Sequence, residues 1–288
     1  VYKRQRSFRA TGGVVLASGG FAKNQEMVAQ HAPIYLRGNP IDVHGNDGWG
    51  IRAGQKVGAA VSRLGAVCCF HAIGPPRSRY EGILVNANGQ RFITEADVVD
   101  QHRLGDRIVR EQRGRAYLIV DSRSLGERPP GLARALGFDR PADEKAAEAS
   151  TIAELERLLE IPELGLQQTV ETYNRHASEK RDPFFHKPAE HLRPIEHPPF
   201  TAVRASIGEG AFAYFTVGGL RTNAETRVLD HRNTPIPGFF AVGRVAAGIL
   251  NYPYYLSGLS LGEGTLFGRI AGRTAANQAG SRIAVQGG

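Results

Sequence analysis

The sequence predicts an α/β fold interrupted by an α+β insertion, and three observations carry that reading. Val14-Val15-Leu16-Ala17 is a wholly apolar run closed by Ser18-Gly19-Gly20, the pattern of a strand buried in a parallel sheet. Residues 82–179 instead alternate hairpin, strand and helix signals. Beyond a proline-rich stretch the chain returns to short strands and glycine turns, and it closes on a small-residue helix from about Gly258 to Asn277.

The elements follow in order. Glu26–His31 is long enough for a helical turn. In residues 44–65, Ile51, Val57, Ala60 and Val61 fall on one helical stripe, and Gly65 suits a helix end. Gly82–Thr94 reads as a hairpin, because Ile83-Leu84-Val85 and Arg91-Phe92-Ile93 flank the turn dipeptide Asn88-Gly89. A helix over His102–Gln112 and a strand at Ala116–Val120 come next, then a surface excursion rich in Pro, Gly and charge over 126–149. Thr151 and Glu154 have capping-box spacing, and Ile152, Leu155, Leu158 and Leu159 make the helix behind them amphipathic. A second helix covers Leu166–Glu179. Pro183, Pro188, Pro194, Pro198 and Pro199 then break regular structure, as in a linker or belt.

Composition excludes several classes. With 288 residues, 41% of them hydrophobic, the chain can bury one large core or two smaller ones. The net charge of +8 would suit an anionic partner, but the charges are scattered. The densest group, Arg103, Arg107, Arg110, Arg113 and Arg115, has helical spacing beside Asp106 and Glu111, which reads as a solvated helix face. It lacks aromatic stacking partners, so no nucleic acid is expected. No apolar run approaches the roughly 18–20 residues that span a bilayer. Cys68 and Cys69 are adjacent, which provides neither a disulfide framework nor a zinc site; a buried strand in a reducing cytoplasm is expected.

Four stretches resemble the fumarate reductase/succinate dehydrogenase flavoprotein superfamily, which includes the 3-ketosteroid Δ1-dehydrogenases and tricarballylate dehydrogenases. They are Val14–Phe21 (VVLASGGF), Gly82–Glu95 (GILVNANGQRFITE), the TVETYN helix running to Asp182-Pro183, and Thr216–Gly272 with its IPGFFAVG and YYLSGLSLGEGTLFGRIAG runs. The resemblance covers roughly residues 12–278. It implies FAD as cofactor and a partial FAD-binding Rossmann-like domain with an inserted α+β capping domain. The expected boundaries are 10–70 and 213–278 for the FAD-binding parts, 71–212 for the cap and 279–288 for a tail. The superfamily opens with a strand, a GxGxxG turn and a helix that hold the pyrophosphate. No such element occurs here, so an N-terminal segment is expected to be missing.

The resemblance also implies roles. Ser18, Gly19, Gly20, Gly243 and Arg244 fall at cofactor-binding positions. Gly258, Ser260 and Leu261 open the last helix, whose N–H groups would support charge on a reduced flavin. His71 stands where the family's fumarate reductases carry a substrate-clamping His. Their second His is replaced by Phe215 and their Arg near the last helix by Tyr255, which argues against fumarate reduction. Tyr254 and Tyr255 then become the expected acid/base residues, with His71 as a second polar group. Arg244 replaces a Glu that binds cofactor hydroxyls, and Trp49 an Asp. The aromatic set of Phe212, Tyr214, Phe215, Tyr254 and Tyr255 suits a bulky, weakly charged small molecule; the electron acceptor is open. Packing is the plain alternative for the aromatic run and for the glycines. Three functions follow as alternatives: a flavin dehydrogenase or reductase, a fragment that folds in part without retaining FAD, and a basic nucleic-acid-binding module.

Overall fold

The computed structural model describes residues 7–72, 80–95, 101–125, 145–209, 211–250, 254, 256 and 258–286. In chain order the elements are β1 (Val14–Leu16), α1 (Gln25–His31), β2 (Asn39–Pro40), α2 (Trp49–Lys56), β3 (Val61–Ser62), β4 (Val67–Ala72), β5 (Ile83–Asn86), α3 (Gln101–Arg110), β6 (Ala116–Val120), β7 (Lys145–Ala149), α4 (Ile152–Leu158), α5 (Gly165–Ser178), β8 (Phe200–Arg204), β9 (Ala211–Thr216), β10 (Gly219–Leu220), β11 (Arg227–Leu229), β12 (Pro235–Ala241) and α6 (Leu259–Gln286). They divide between two compact units.

The first unit comprises Val1–Ala32, Asp42–Val67 and Phe215–Gly288. Its main sheet has the order β1-β12-β11, with β1 parallel to β12 and Leu16 opposite Ala241. Phe267, Ala271 and Ala275 of α6 pack on Phe240 and Val242. The expected burial of β1 is not realised: Val14 is 54% and Val15 39% exposed, and Leu16 is half-buried. The reason is position, since β1 is an edge strand with β12 as its one neighbour among the described residues. α2 is shorter than its apolar stripe suggested. It stops at Lys56 because Gly58 turns to φ +87°, and Val61 pairs in β3 with β10 instead. α6 is longer than expected and takes in most of the 279–288 segment read as a tail.

The second unit comprises Pro33–Ile41 and Cys68–Tyr214. An antiparallel sheet, β5-β6-β8-β7, forms its centre. Successive strand residues face opposite sides, and the cores show it. Ile83 and Val85 pack with Leu155 of α4 and Leu166, Val170 and Tyr173 of α5. Leu84 packs with Leu104 and Ile108 of α3. Thr151 caps α4 by accepting the Glu154 N–H at 3.1 Å, and the Glu154 carboxylate accepts the Ser150 N–H at 3.2 Å. The expected hairpin forms only its turn and a single bridge, Val85 to Arg91; β5 takes β6 as its strand partner. Of the expected excursion, residues 126–144 lie outside the described residues and 145–149 form β7. Cys68 and Cys69 are buried in β4.

A buried ion network ties the hairpin to the segment after α5. Arg91 grips Glu95 with two hydrogen bonds, at 3.1 and 2.7 Å, and donates to Asp182 at 2.9 Å. Lys187 donates to the Gly82 carbonyl at 2.6 Å and lies 3.5 Å from Glu95. Burial alone would raise the Glu95 and Asp182 carboxyls. Lys187 and Arg91 outweigh it at Glu95, and Arg91 with the Phe184 and Phe185 amides outweighs it at Asp182, so both are held below the usual carboxylate range.

Candidate functional site

Two chain segments converge at the carboxyl ends of the parallel pair β1 and β12, the edge at which open α/β sheets bind ligands. Ser18-Gly19-Gly20 leaves β1, and Gly243-Arg244 leaves β12. The Val242 N–H donates to the Leu16 carbonyl at 2.9 Å, which holds the two exits together. Gly19 has φ +74° and sits against the Asn46 side chain, where a Cβ would collide. Gly20 lies on Thr216, whose hydroxyl accepts the Phe21 N–H at 2.9 Å. Gly243 has φ +64° and open space on its Cβ side. A cavity of about 260 Å³ opens beside it, lined by Val242, Thr226, Glu263 and Phe267 among others.

Asp42 was missed in the sequence, and it joins these exits. Its side chain is fully covered, while that of Arg244 is 24% exposed, and the two meet at 2.8 Å. The same Asp42 oxygen, Oδ1, accepts from the Asn46 amide. Burial pushes the Asp42 carboxyl above its usual range, more than Arg244, Asn46, the Val43 amide and Lys23 draw it down. Two polar atoms at this end are buried without a hydrogen-bond partner among the described residues: Ser18 Oγ and Asp42 Oδ2. Arg244 is therefore not a bare departure from the family's pattern. It is a cation neutralised by a carboxylate from a remote loop.

From Arg244 a run of contacts leads to the start of α6. Its guanidinium lies 5.2 Å from the Phe215 ring centre, and Phe215 meets Tyr254 edge to face at 5.2 Å. The Tyr254 oxygen accepts the Ser260 N–H at 2.7 Å. The Leu261 N–H donates to the Gly258 carbonyl at 3.0 Å. The two amides expected to be free for a flavin are thus engaged within the chain, because Tyr254 and Gly258 cap the first turn of α6. Gly258 has φ +93°, and Leu261 is 78% exposed. Tyr255 lies outside the described residues. At the next turn of α6, Glu263 is buried and accepts the Ile249 N–H at 2.9 Å. Burial raises its carboxyl, against the Ile249 and Leu250 amides and Arg63.

His71 belongs to the second unit. It is 1% exposed and sets its ring edge-on to Phe212, with centroids 5.3 Å apart. This imidazole is part of a packed interior and not of an open surface. Phe212, Tyr214, Phe215 and Tyr254 are all buried as well. Among the described residues no cluster of His, Cys, Asp and Glu is arranged to hold a metal ion, and no helix is long and apolar enough to cross a membrane.

Comparison with known proteins gives a consistent pattern. A family model described as an FAD binding domain matches residues 2–261. The chain is 29% identical to a 4-oxocyclohex-2-ene-1-carboxylate 5-dehydrogenase of Sinomonas cyclohexanicum, over 94% of this chain and 52% of that protein. It is 28% identical to a 3-oxosteroid 1-dehydrogenase of Mycobacterium tuberculosis, over 95% of this chain and 54% of that one. Among solved structures, a 3-ketosteroid-Δ4-(5α)-dehydrogenase of Rhodococcus jostii RHA1, in complex with 4-androstene-3,17-dione, aligns with a TM-score of 0.76 at 36% identity. The alignment covers 93% of this chain and 53% of that one. The chain spans about half the length of the relatives it matches.

Proposed function

This chain belongs to the FAD binding domain family, and on that premise we propose that it forms part of an FAD-dependent oxidoreductase acting on a C–C bond beside a carbonyl or carboxylate. The observation that carries the reading is the convergence of Ser18-Gly19-Gly20 and Gly243-Arg244 at one end of a parallel strand pair. The residues there fit the cofactor. Open space adjoins Gly243, and two buried polar atoms, Ser18 Oγ and Asp42 Oδ2, lack partners among the described residues. Ser18, Gly19, Gly20, Gly243 and Arg244 would hold FAD, which when bound takes up or gives a hydride.

The chain's own residues supply positioning and proton handling. The Tyr254 oxygen is fixed by the Ser260 N–H, so a proton can be exchanged at a defined atom. Tyr255 is a second phenol for the same task. The Phe215 and Tyr254 rings, with no second cationic clamp in the sequence, favour a bulky and weakly charged substrate such as a cyclic ketone. The 3-oxosteroid and 4-oxocyclohexene carboxylate activities named for relatives support that class.

The test is anaerobic bleaching of the enzyme-bound flavin in the complete flavoprotein. A cyclic 3-ketone should bleach it, and fumarate should fail to reoxidise the reduced form. Rapid reoxidation by fumarate with no response to ketones would overturn the substrate class.

A further inference from the structure

We propose that Asp42 is the residue of this site that accepts hydrogen bonds from the hydroxyl groups of a bound polyol segment, the ribityl chain or ribose of FAD; this rests on the FAD reading above. An ionised carboxylate is an acceptor only, with about four lone-pair positions on its two oxygens. Oδ1 of Asp42 is satisfied by Arg244 and Asn46. Oδ2 is buried with no partner among the described residues, an arrangement that native structures rarely leave unfilled.

The chemistry of the missing partner is narrow. A phosphate or carboxylate would be repelled by Asp42, and an ammonium would meet the Arg244 cation beside it. A neutral O–H donor satisfies the oxygen without either conflict. The position agrees. Asn46, bonded to Asp42, lies against Gly19 at the exit of β1, and Arg244 belongs to the exit of β12. Ser18 Oγ, the second unpartnered buried atom, leaves the same strand end.

The experiment titrates the full chain and its Asp42→Asn variant with FAD, followed by flavin fluorescence anisotropy. Far-UV circular dichroism and thermal melting run alongside. The variant should bind FAD at least about tenfold more weakly with its fold retained, the cost of losing a charged acceptor. Equal affinity in the two proteins overturns the assignment and leaves the FAD reading standing. No FAD binding by the wild-type chain overturns the FAD reading and this assignment with it. If Asp42→Asn does not fold, the carboxyl ¹³C resonance of Asp42 in the wild-type chain decides: it should move on adding FAD, and an unmoved resonance overturns the proposal.

Discussion

The Arg244 guanidinium lies 2.8 Å from the Asp42 carboxylate, and through this pair the loop before α2 is bound to the end of β12. One partner is fully covered and the other is only a quarter exposed. Breaking such a pair leaves a covered charge without its counterion. Arg244→Met should therefore destabilise the first unit by about 1–3 kcal/mol, read by urea denaturation. Adding Asp42→Asn should recover part of that loss, since no buried charge then remains. A double variant no more stable than Arg244→Met would count against the coupling.

The raised Asp42 carboxyl sets a direction with pH. A group that holds its proton more tightly when folded contributes stability below its unfolded value, about 3.9, and loses it as pH rises through the folded value. Wild type should therefore lose stability relative to Asp42→Asn as pH climbs above the unfolded value and through the raised folded one. Parallel stability profiles for the two proteins would contradict this.

The ion network of the second unit has the opposite sign. Glu95 and Asp182 are held below the usual carboxylate range, so their contribution is present above about pH 4 and fades as pH falls through their folded values. Glu95→Gln should cost about 3–5 kcal/mol at neutral pH, because Arg91 and Lys187 then stay buried with one carboxylate fewer. The deficit should shrink in acid, where wild type also loses the charge. Calorimetric melting from pH 7 to pH 3 measures both.

Tyr254→Phe removes the acceptor of the Ser260 N–H and the exchangeable proton together. In the complete flavoprotein, turnover should fall about 10²- to 10⁴-fold, with a stability cost of only about 1 kcal/mol. Wild-type turnover in both Tyr254→Phe and Tyr255→Phe would remove the phenols from the chemistry.

Much of the fold was legible because its signals are local. The capping box at Thr151, the Asn88-Gly89 turn and the apolar run Ile83-Leu84-Val85 each act over a few residues. What was illegible depends on distant partners or on backbone geometry. The stripe through Val57 and Val61 suggested a longer helix, and only the left-handed turn at Gly58 shows why α2 stops. Arg244 read as a departure because its carboxylate partner lies on a loop far away in sequence, where Asp42 has no motif of its own. The amides of Ser260 and Leu261 looked free because a helix start seen in sequence does not show what caps it; Tyr254 and Gly258 do. His71 matches the family's pattern by residue type and position, while its burial against Phe212 is a property of packing.

The most direct measurement is equilibrium dialysis of the purified chain against FAD, followed by the visible absorption spectrum of the protein fraction. Saturable retention of flavin, with absorption bands shifted from those of free FAD, is the expected result. A colourless protein at saturating FAD, with its secondary structure intact by circular dichroism, would contradict the assignment of the β1 and β12 exits as a flavin site.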